Sequence, residues 1–170
     1  SLNEMYGDNY GYRSGLNQSM VNHLKSKVQK ILDFVELTPG DLVIDIGSND
    51  ATTLKNYDKE LMLVGIDPTS EKFKEFYPDH IELIADFFNE NLVKDRYPNK
   101  KAKVITSFSM FYDLEDPQCF VNHISNVLSK DDGIWVFEQS YLPLMLEQNS
   151  YDPICHEHLE YYSMEQIFWM

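Results

Sequence analysis

A chain of 170 residues with 43% hydrophobic side chains is sized for one domain around a single core. Its 28 acidic residues against 14 basic ones leave a formal net charge of -14, a surface that repels a nucleic-acid backbone and disfavours an anionic membrane. No run approaches the length of a membrane span and no signal-peptide pattern is present, so the expectation is a soluble, cytoplasmic protein with Cys119 and Cys155 reduced.

In chain order, residues 17 to 37 place Met20, Val21, Leu24, Val28, Ile31, Leu32 and Val35 at the spacing of an amphipathic helix, stopped by Thr38, Pro39 and Gly40. Leu42 to Ile46 reads as a buried strand and ATTLKNY as a short helical stretch. Residues 61 to 67 are a second strand, SEKFKEFY a helix, 80 to 86 a third strand and NENLVKDRY another helix. Residues 101 to 109 form a fourth strand. DPQCFVNHISNVLSK follows as a long helix with Phe120, Val121, Ile124, Val127 and Leu128 on one face, and 133 to 140 as a fifth strand. This alternation predicts an α/β fold, a parallel sheet of about five strands with helices on both faces. Ser163 and Gln166 resemble a capping box opening a last helix whose apolar stripe runs to Met170. The expectation is a domain truncated at its C-terminus, a fragment of a longer protein.

In an open parallel sheet, ligands bind beyond the carboxyl ends of the strands. After the first strand comes 45-DIGSNDA-51, with Asp45, Gly47, Ser48, Asn49 and Asp50; the second ends at Asp67 and the third at Asp86, Phe87 and Phe88. An acid ending the second strand is placed to accept both ribose hydroxyls and to repel a 2′-phosphate. Asp86 beside an aromatic suits an adenine. Taken singly, each of these residues fits equally a helix cap or strand end of any α/β protein. The glycine loop decides between cofactors. A pyrophosphate cofactor wants G-x-G-x-x-G, whereas here Gly47 stands alone, followed by polar and acidic residues. The loop therefore expects an adenosine without phosphates that carries a cation, which is the chemistry of S-adenosylmethionine.

The motifs DIGSND, GIDPT and DFF, in that order and spacing, resemble class I S-adenosylmethionine-dependent methyltransferases, with their Rossmann-like fold. Two further stretches, 10-YGYRSGLNQSMVNHL-24 and 137-FEQSYLPLMLEQNSYDPICHEHLEYYS-163, look like the sugar-nucleotide C-methyltransferases that build branched deoxysugars. That resemblance implies a methyltransferase domain between an N-terminal zinc-binding domain and a C-terminal domain that helps to hold the nucleotide sugar. Residues 1 to 170 would then be the single cofactor-binding domain, its partners the flanking domains and a dTDP-linked keto-deoxysugar. The resemblance puts Asp67 on the ribose hydroxyls, Asp86 and Phe87 around adenine, and Asp45 with the Gly47, Ser48 and Asn49 backbone along the cofactor. Tyr12, Arg13 and Ser14 would meet the methionine carboxylate or the substrate, and Ser107 to Phe111 would form another wall. Tyr10 and Tyr12 fit equally a packing role on the core. Ala51 stands where such loops commonly carry glycine, and Pro153 where relatives more often carry threonine.

Methylating carbon needs a base to take a proton next to a ketone and donors to hold the enolate. The stretch 151-YDPICHEHLEYYS-163 concentrates such groups. By resemblance His158 is the base, with His156 and Glu157 assisting, and Cys155 stands where some relatives have a tyrosine. An extended backbone would point His156 and His158 the same way; a tight turn would let all three converge. Three other readings stay open: a metal site built on Cys155, His156 and His158, a cysteine nucleophile, and a polar surface loop packing its tyrosines. The metal reading lacks both H-E-x-x-H and C-x-x-C, so no metal is expected. The sequence thus points to methyl transfer from S-adenosylmethionine to carbon 3 of a keto-deoxysugar nucleotide. An O- or N-methyltransferase and a cofactor-binding module inactive in isolation are the alternatives.

Overall fold

The computed structural model describes residues 11 to 170, so Tyr10 lies outside it. Helix α1 (Gln18–Phe34) opens on Asn17, whose side chain accepts from the Ser19 N–H, and turns Leu24, Val28 and Ile31 inward. The five strands are β1 (Leu42–Ile46), β2 (Met62–Ile66), β3 (Ile81–Ile84), β4 (Ala102–Phe108) and β5 (Ile134–Glu138). All pairings are parallel, in the order β3-β2-β1-β4-β5.

The apolar runs that predicted strands are runs because both faces are covered. Leu42, Ile44 and Ile46 point to one face, where Val64, Ile105, Phe120 and Ile124 join them beneath α2 (Glu90–Arg96) and α3 (Pro117–Val127). Val43 points to the other, into a layer with Val28 and Ile31 of α1 and with Leu63 and Val104. Each such fully buried branched side chain contributes about 1.5–3 kcal/mol. Both α2 and α3 begin on capping side chains, Asn89 and Asp116, and Pro117 occupies the first turn of α3, where its missing N–H costs nothing.

Two of the expected helices are not α-helices. Leu54–Asn56 is a single 3-10 turn, and Ser70–Phe76 is a 3-10 segment. In the latter, Pro78 biases Tyr77 to extended backbone and closes the segment before an α-helix can establish itself. A helix that the sequence left unassigned, α4 (Leu142–Gln148), ends on Asn149 in the left-handed region at φ 49°. The capping box is present: Gln166 Oε1 accepts from the Ser163 N–H at 2.8 Å, opening α5 (Met164–Trp169). Among the described residues, no helix is long and apolar enough to cross a membrane.

The chain runs from β1 to β2 and β3 on one side of the sheet, then returns to place β4 and β5 on the other. The loops that leave β1 and β4 therefore diverge. This is the switch point at which an open parallel sheet offers a crevice.

Candidate active site

A cavity of about 390 Å³ opens there. One wall comes from the ends of β1, β2 and β3: Asp45, Gly47, Ser48, Asn49, Asp67 and Phe87. The other comes from the loop after β4, the end of β5 and one face of α1.

The first wall is tightly bonded. Gly47, Asn49 and Ala51 all have positive φ, at 74°, 49° and 61°, so the loop after β1 turns back on itself three times. Ala51 thus keeps the left-handed backbone that glycine would hold without strain, and it is fully buried. Asp67 fixes the fold of this wall. Its Oδ2 accepts from the Asn49 N–H at 2.8 Å, and its Oδ1 accepts from the Thr69 N–H and hydroxyl, each at 2.7 Å. Tyr77, unremarked in the sequence, shares a 2.8 Å hydrogen bond with the Ser48 hydroxyl and lies 3.0 Å from the Asn49 carbonyl. Gly65 makes room for that pair, since a Cβ there would lie 2.6 Å from Ser48 Oγ.

The same loop holds the segment before α1. Asn49 Oδ1 accepts from the Ser14 N–H, Asn49 Nδ2 donates to the Tyr12 carbonyl, and Asp50 Oδ2 accepts from the Gly15 N–H. Tyr12 and Ser14 are thereby set on the cavity wall. Arg13 is not: it lies 3.8 Å from Asp50 and stacks 3.9 Å above the Phe76 ring, away from the lining.

Asp45 is buried at the centre of the sheet, its Oδ1 accepting from the Thr106 hydroxyl at 2.5 Å. Burial pushes its pKa up to about 7, and Asp67 nearby adds to the shift, while hydrogen bonds from Thr106 and Thr53 oppose it. No lysine or arginine lines the cavity among the described residues. Four acidic side chains, Asp45, Asp67, Asp113 and Glu138, with one glycine and no lysine or arginine among the described residues, fit an adenosine carrying a sulfonium and an ammonium, and would repel a pyrophosphate.

Two expected cofactor contacts do not line the cavity. Asp86 is exposed and does not line the cavity; its Oδ1 accepts from the Phe87 N–H at 2.7 Å, fixing the bend that presents Phe87, and Phe88 joins the wall instead. Ser107 is fully buried and accepts from Trp135 Nε1 at 2.9 Å, so its neighbours Phe108 and Ser109 face the cavity in its place.

The expected catalytic trio also lies off the wall. Residues 156 and 157 form a turn, yet the three side chains do not converge. The His156 side chain is 84% exposed, with Nε2 3.9 Å from Glu157 Oε1, and Glu157 is exposed too. His158 turns inward and packs its ring 3.9 Å from that of Tyr112, which does line the cavity. His158 Nδ1 is 2.6 Å from the Pro153 carbonyl, which can only accept. Nδ1 therefore carries the proton, and the neutral ring keeps its lone pair on Nε2. Backbone N–H groups of Leu159 and Glu160 donate to the Tyr112 carbonyl at 2.9 and 3.1 Å, so the stretch is a second layer behind Tyr112. Cys155 is a free thiol 3.7 Å from Glu157. Among the described residues, no three His, Cys, Asp or Glu side chains gather as a metal site.

The second wall holds residues the sequence reading missed. Met20, His23 and Leu24 of α1 face the cavity together, as helical positions spaced by three and four do, and Tyr112, Asp113 and Glu138 face them. Burial raises the Tyr112 pKa and so keeps its hydroxyl protonated, a donor for a developing anion.

Comparison with known proteins agrees with this architecture. The family model described as a methyltransferase domain matches residues 20–170. The C-methyltransferase NovU of Streptomyces niveus is 27% identical over 160 residues, which are 93% of this chain and 38% of NovU. Among solved structures, the plantazolicin methyltransferase BamL, in complex with a triazolic desmethylPZN analogue and SAH, superposes with a TM-score of 0.65 at 19% identity, over 89% of this chain and 61% of its own. The YcgJ protein of Bacillus subtilis gives a TM-score of 0.63 at 18% identity, over 87% and 65%. At those identities the structures share the fold. The match to the family model covers all five strands and every cavity-lining residue except Tyr12 and Ser14, and on it the chain belongs to the methyltransferase-domain family.

Proposed function

We propose that the protein transfers a methyl group from S-adenosylmethionine to the carbon next to the ketone of a nucleotide-linked deoxysugar. The observation that carries this reading is a single cavity with two unlike walls. One is acidic and aromatic, built for a cationic adenosine; the other carries groups able to move a proton and hold an enolate. When bound, S-adenosylmethionine supplies a methyl on sulfonium, an electrophile that a carbanion equivalent can attack.

On the first wall, Asp67 accepts a ribose hydroxyl. A carboxylate offers about four lone-pair sites, and three already serve Asn49 and Thr69, so one on Oδ2 remains. Phe87 covers the adenine face, and Asp45 and Asp67 favour positive charge. On the second wall the Tyr112 hydroxyl donates to the enolate oxygen. His158 backs Tyr112 and fixes the plane of its ring. The likeness to a C-methyltransferase and the stretches 10–24 and 137–163 support carbon as the acceptor and a sugar nucleotide as substrate. Because no lysine or arginine lines the cavity among the described residues, the diphosphate is held outside it, the task given to the flanking domains in this reading.

Calorimetry with S-adenosylhomocysteine tests the cofactor half: binding is expected, and weakened by Asp67→Ala. A folded protein that ignores the ligand would sink it. The acceptor half is tested with a dTDP-linked 4-keto-6-deoxysugar in heavy water. Deuterium uptake beside the ketone marks enolisation, whereas methylation without uptake marks oxygen or nitrogen as the acceptor.

A further inference from the structure

Helix α1 and the segment before it divide between the core and the cavity. From Leu24 on, the helix is core: Leu24, Val28 and Ile31 are buried. Among the described residues none from 11 to 23 is buried, and Tyr12 and Leu16 are exposed. Yet Tyr12, Ser14, Met20 and His23 all line the cavity. A segment that walls a cavity without a buried apolar anchor is held by its polar contacts and opens when they part.

Those contacts come from three places. The loop after β1 supplies a clasp: Asn49 Oδ1 accepts from the Ser14 N–H at 3.0 Å, Asn49 Nδ2 donates to the Tyr12 carbonyl at 2.9 Å, and Asp50 Oδ2 accepts from the Gly15 N–H at 3.0 Å. The 3-10 segment after β2 supplies Phe76, whose ring lies under the Arg13 guanidinium. The end of β5 supplies Glu138, with Oε1 2.7 Å from His23 Nε2 and Oε2 paired with Lys27, which stands beyond Leu24 on the packed part of the helix. The clasp itself is firm. Asp50 is buried, its Oδ1 accepting from the Thr52 hydroxyl at 2.5 Å, and the Asn49 N–H is tied to Asp67. Gly15 allows the close approach, since a Cβ there would collide with Asp50 Oδ2.

The same segment reaches both walls. Tyr12 and Ser14 are fastened to the wall that the proposed function gives to the cofactor, and Met20 and His23 belong to the wall it gives to the acceptor. Closing the segment over one ligand therefore completes the surface offered to the other, and that coupling is reciprocal.

We propose that residues 12–23 form a lid, latched by Asn49, Asp50 and Glu138, that opens to exchange the cofactor and, on closing over it, completes the acceptor wall. The identity of the two ligands rests on the proposed function. Because α1 is continuous across Leu24, opening frays the start of the helix and leaves the rest packed.

The experiment is amide hydrogen exchange, read by mass spectrometry on full-length protein with and without S-adenosylhomocysteine. Without ligand, amides 12–23 are expected to exchange about tenfold faster than amides 25–34, and the ligand to slow the first group about tenfold without changing the second. Gly15→Ala, which forces the segment off Asp50, and Arg13→Gln, which removes the stacked cation, are each expected to speed both exchange of 12–23 and release of S-adenosylhomocysteine about threefold or more. A mere brace of the fold would instead lower Tm and speed exchange in 25–34 as well. By calorimetry, a dTDP-linked 4-keto-6-deoxysugar is expected to bind about fivefold more tightly with S-adenosylhomocysteine present. If the ligand binds, yet amides 12–23 exchange as slowly as 25–34 or neither variant alters them, the inference is overturned and the proposed function stands. Equal sugar affinities with and without S-adenosylhomocysteine overturn it too. A folded protein that binds no S-adenosylhomocysteine sinks the proposed function, and the lid with it.

Discussion

The loop at 45–51 and the stretch at 151–163 both concentrate polar side chains, and they are built in opposite ways. In the loop, Ser48, Asp50 and Ala51 are almost wholly buried, and each polar side chain from Asp45 to Asp50 is bonded to a neighbouring element or its own turn. In the stretch, Tyr151, His156 and Glu157 are exposed, and His158 turns in against Tyr112. Density of chemically able residues does not make a site. What makes one is a backbone that aims them at the same space, and the loop has it.

Perturbing the two segments should therefore give effects of very different size. The largest belongs to Asp45. Its folded pKa of about 7 lies above its ordinary value near 4, so between those pH values the folded state binds a proton that the unfolded state has released. Stability contributed by that protonation is full below pH 4 and lost as pH rises through 7, on the order of 4 kcal/mol at the limit. Asp45→Asn should flatten this part of the profile and raise stability above pH 7, as read by urea unfolding across pH; an unchanged slope would show that Asp45 is ionised throughout. Next is Asp67→Ala, which strands donors on Asn49 and Thr69. It should cost about 2–4 kcal/mol, with loss of S-adenosylhomocysteine binding by calorimetry. Gly65→Ala should cost about 1–3 kcal/mol, because the new Cβ meets Ser48 and Tyr77.

Ala51→Gly should change stability by less than about 1 kcal/mol. Relief of left-handed strain, worth roughly 1–2 kcal/mol, is offset by the lost methyl burial and the added chain entropy. The smallest effect is expected at His156→Ala, within about twofold in kcat/KM, since an exposed side chain has little to lose. A hundredfold loss there would erase the contrast between the two segments and return the stretch to the wall.

The sheet was legible because its central strands are covered on both faces, so their apolar runs are unbroken and their ends fall within a residue or two of expectation. The segment from 141 to 162 was not, because α4 and the turns after it show no single period. Asp67, Phe87 and the loop, read from the sequence by asking what stands at strand ends, line the cavity. Asp86 and Ser107, read the same way, do not line it, since neighbouring residues alternate in direction and a strand end does not say which of two faces the cavity. Asked of the fifth strand, the same question would have found Glu138. His23 was hidden differently. It occupies the helix face already explained by Met20 and Leu24, and an imidazole among apolar neighbours reads as core until the cavity behind it is known. The resemblance brought His158 into view but carried no information about depth, and depth is what separates a residue on the wall from one behind it.

Asp45 has a consequence for turnover. A carboxyl that titrates near neutrality beside a cofactor site is a gauge of the charge placed there. Under the proposed function, a sulfonium bound nearby would favour the anion, and a neutral sulfur in its place would not. The proposed function therefore predicts that the discharged cofactor is held less tightly than the charged one, with its release coupled to proton uptake from solvent. Calorimetry of S-adenosylmethionine and S-adenosylhomocysteine in buffers of differing ionisation enthalpy would register it near pH 7, as proton release with the first ligand and less with the second, a difference that Asp45→Asn should abolish.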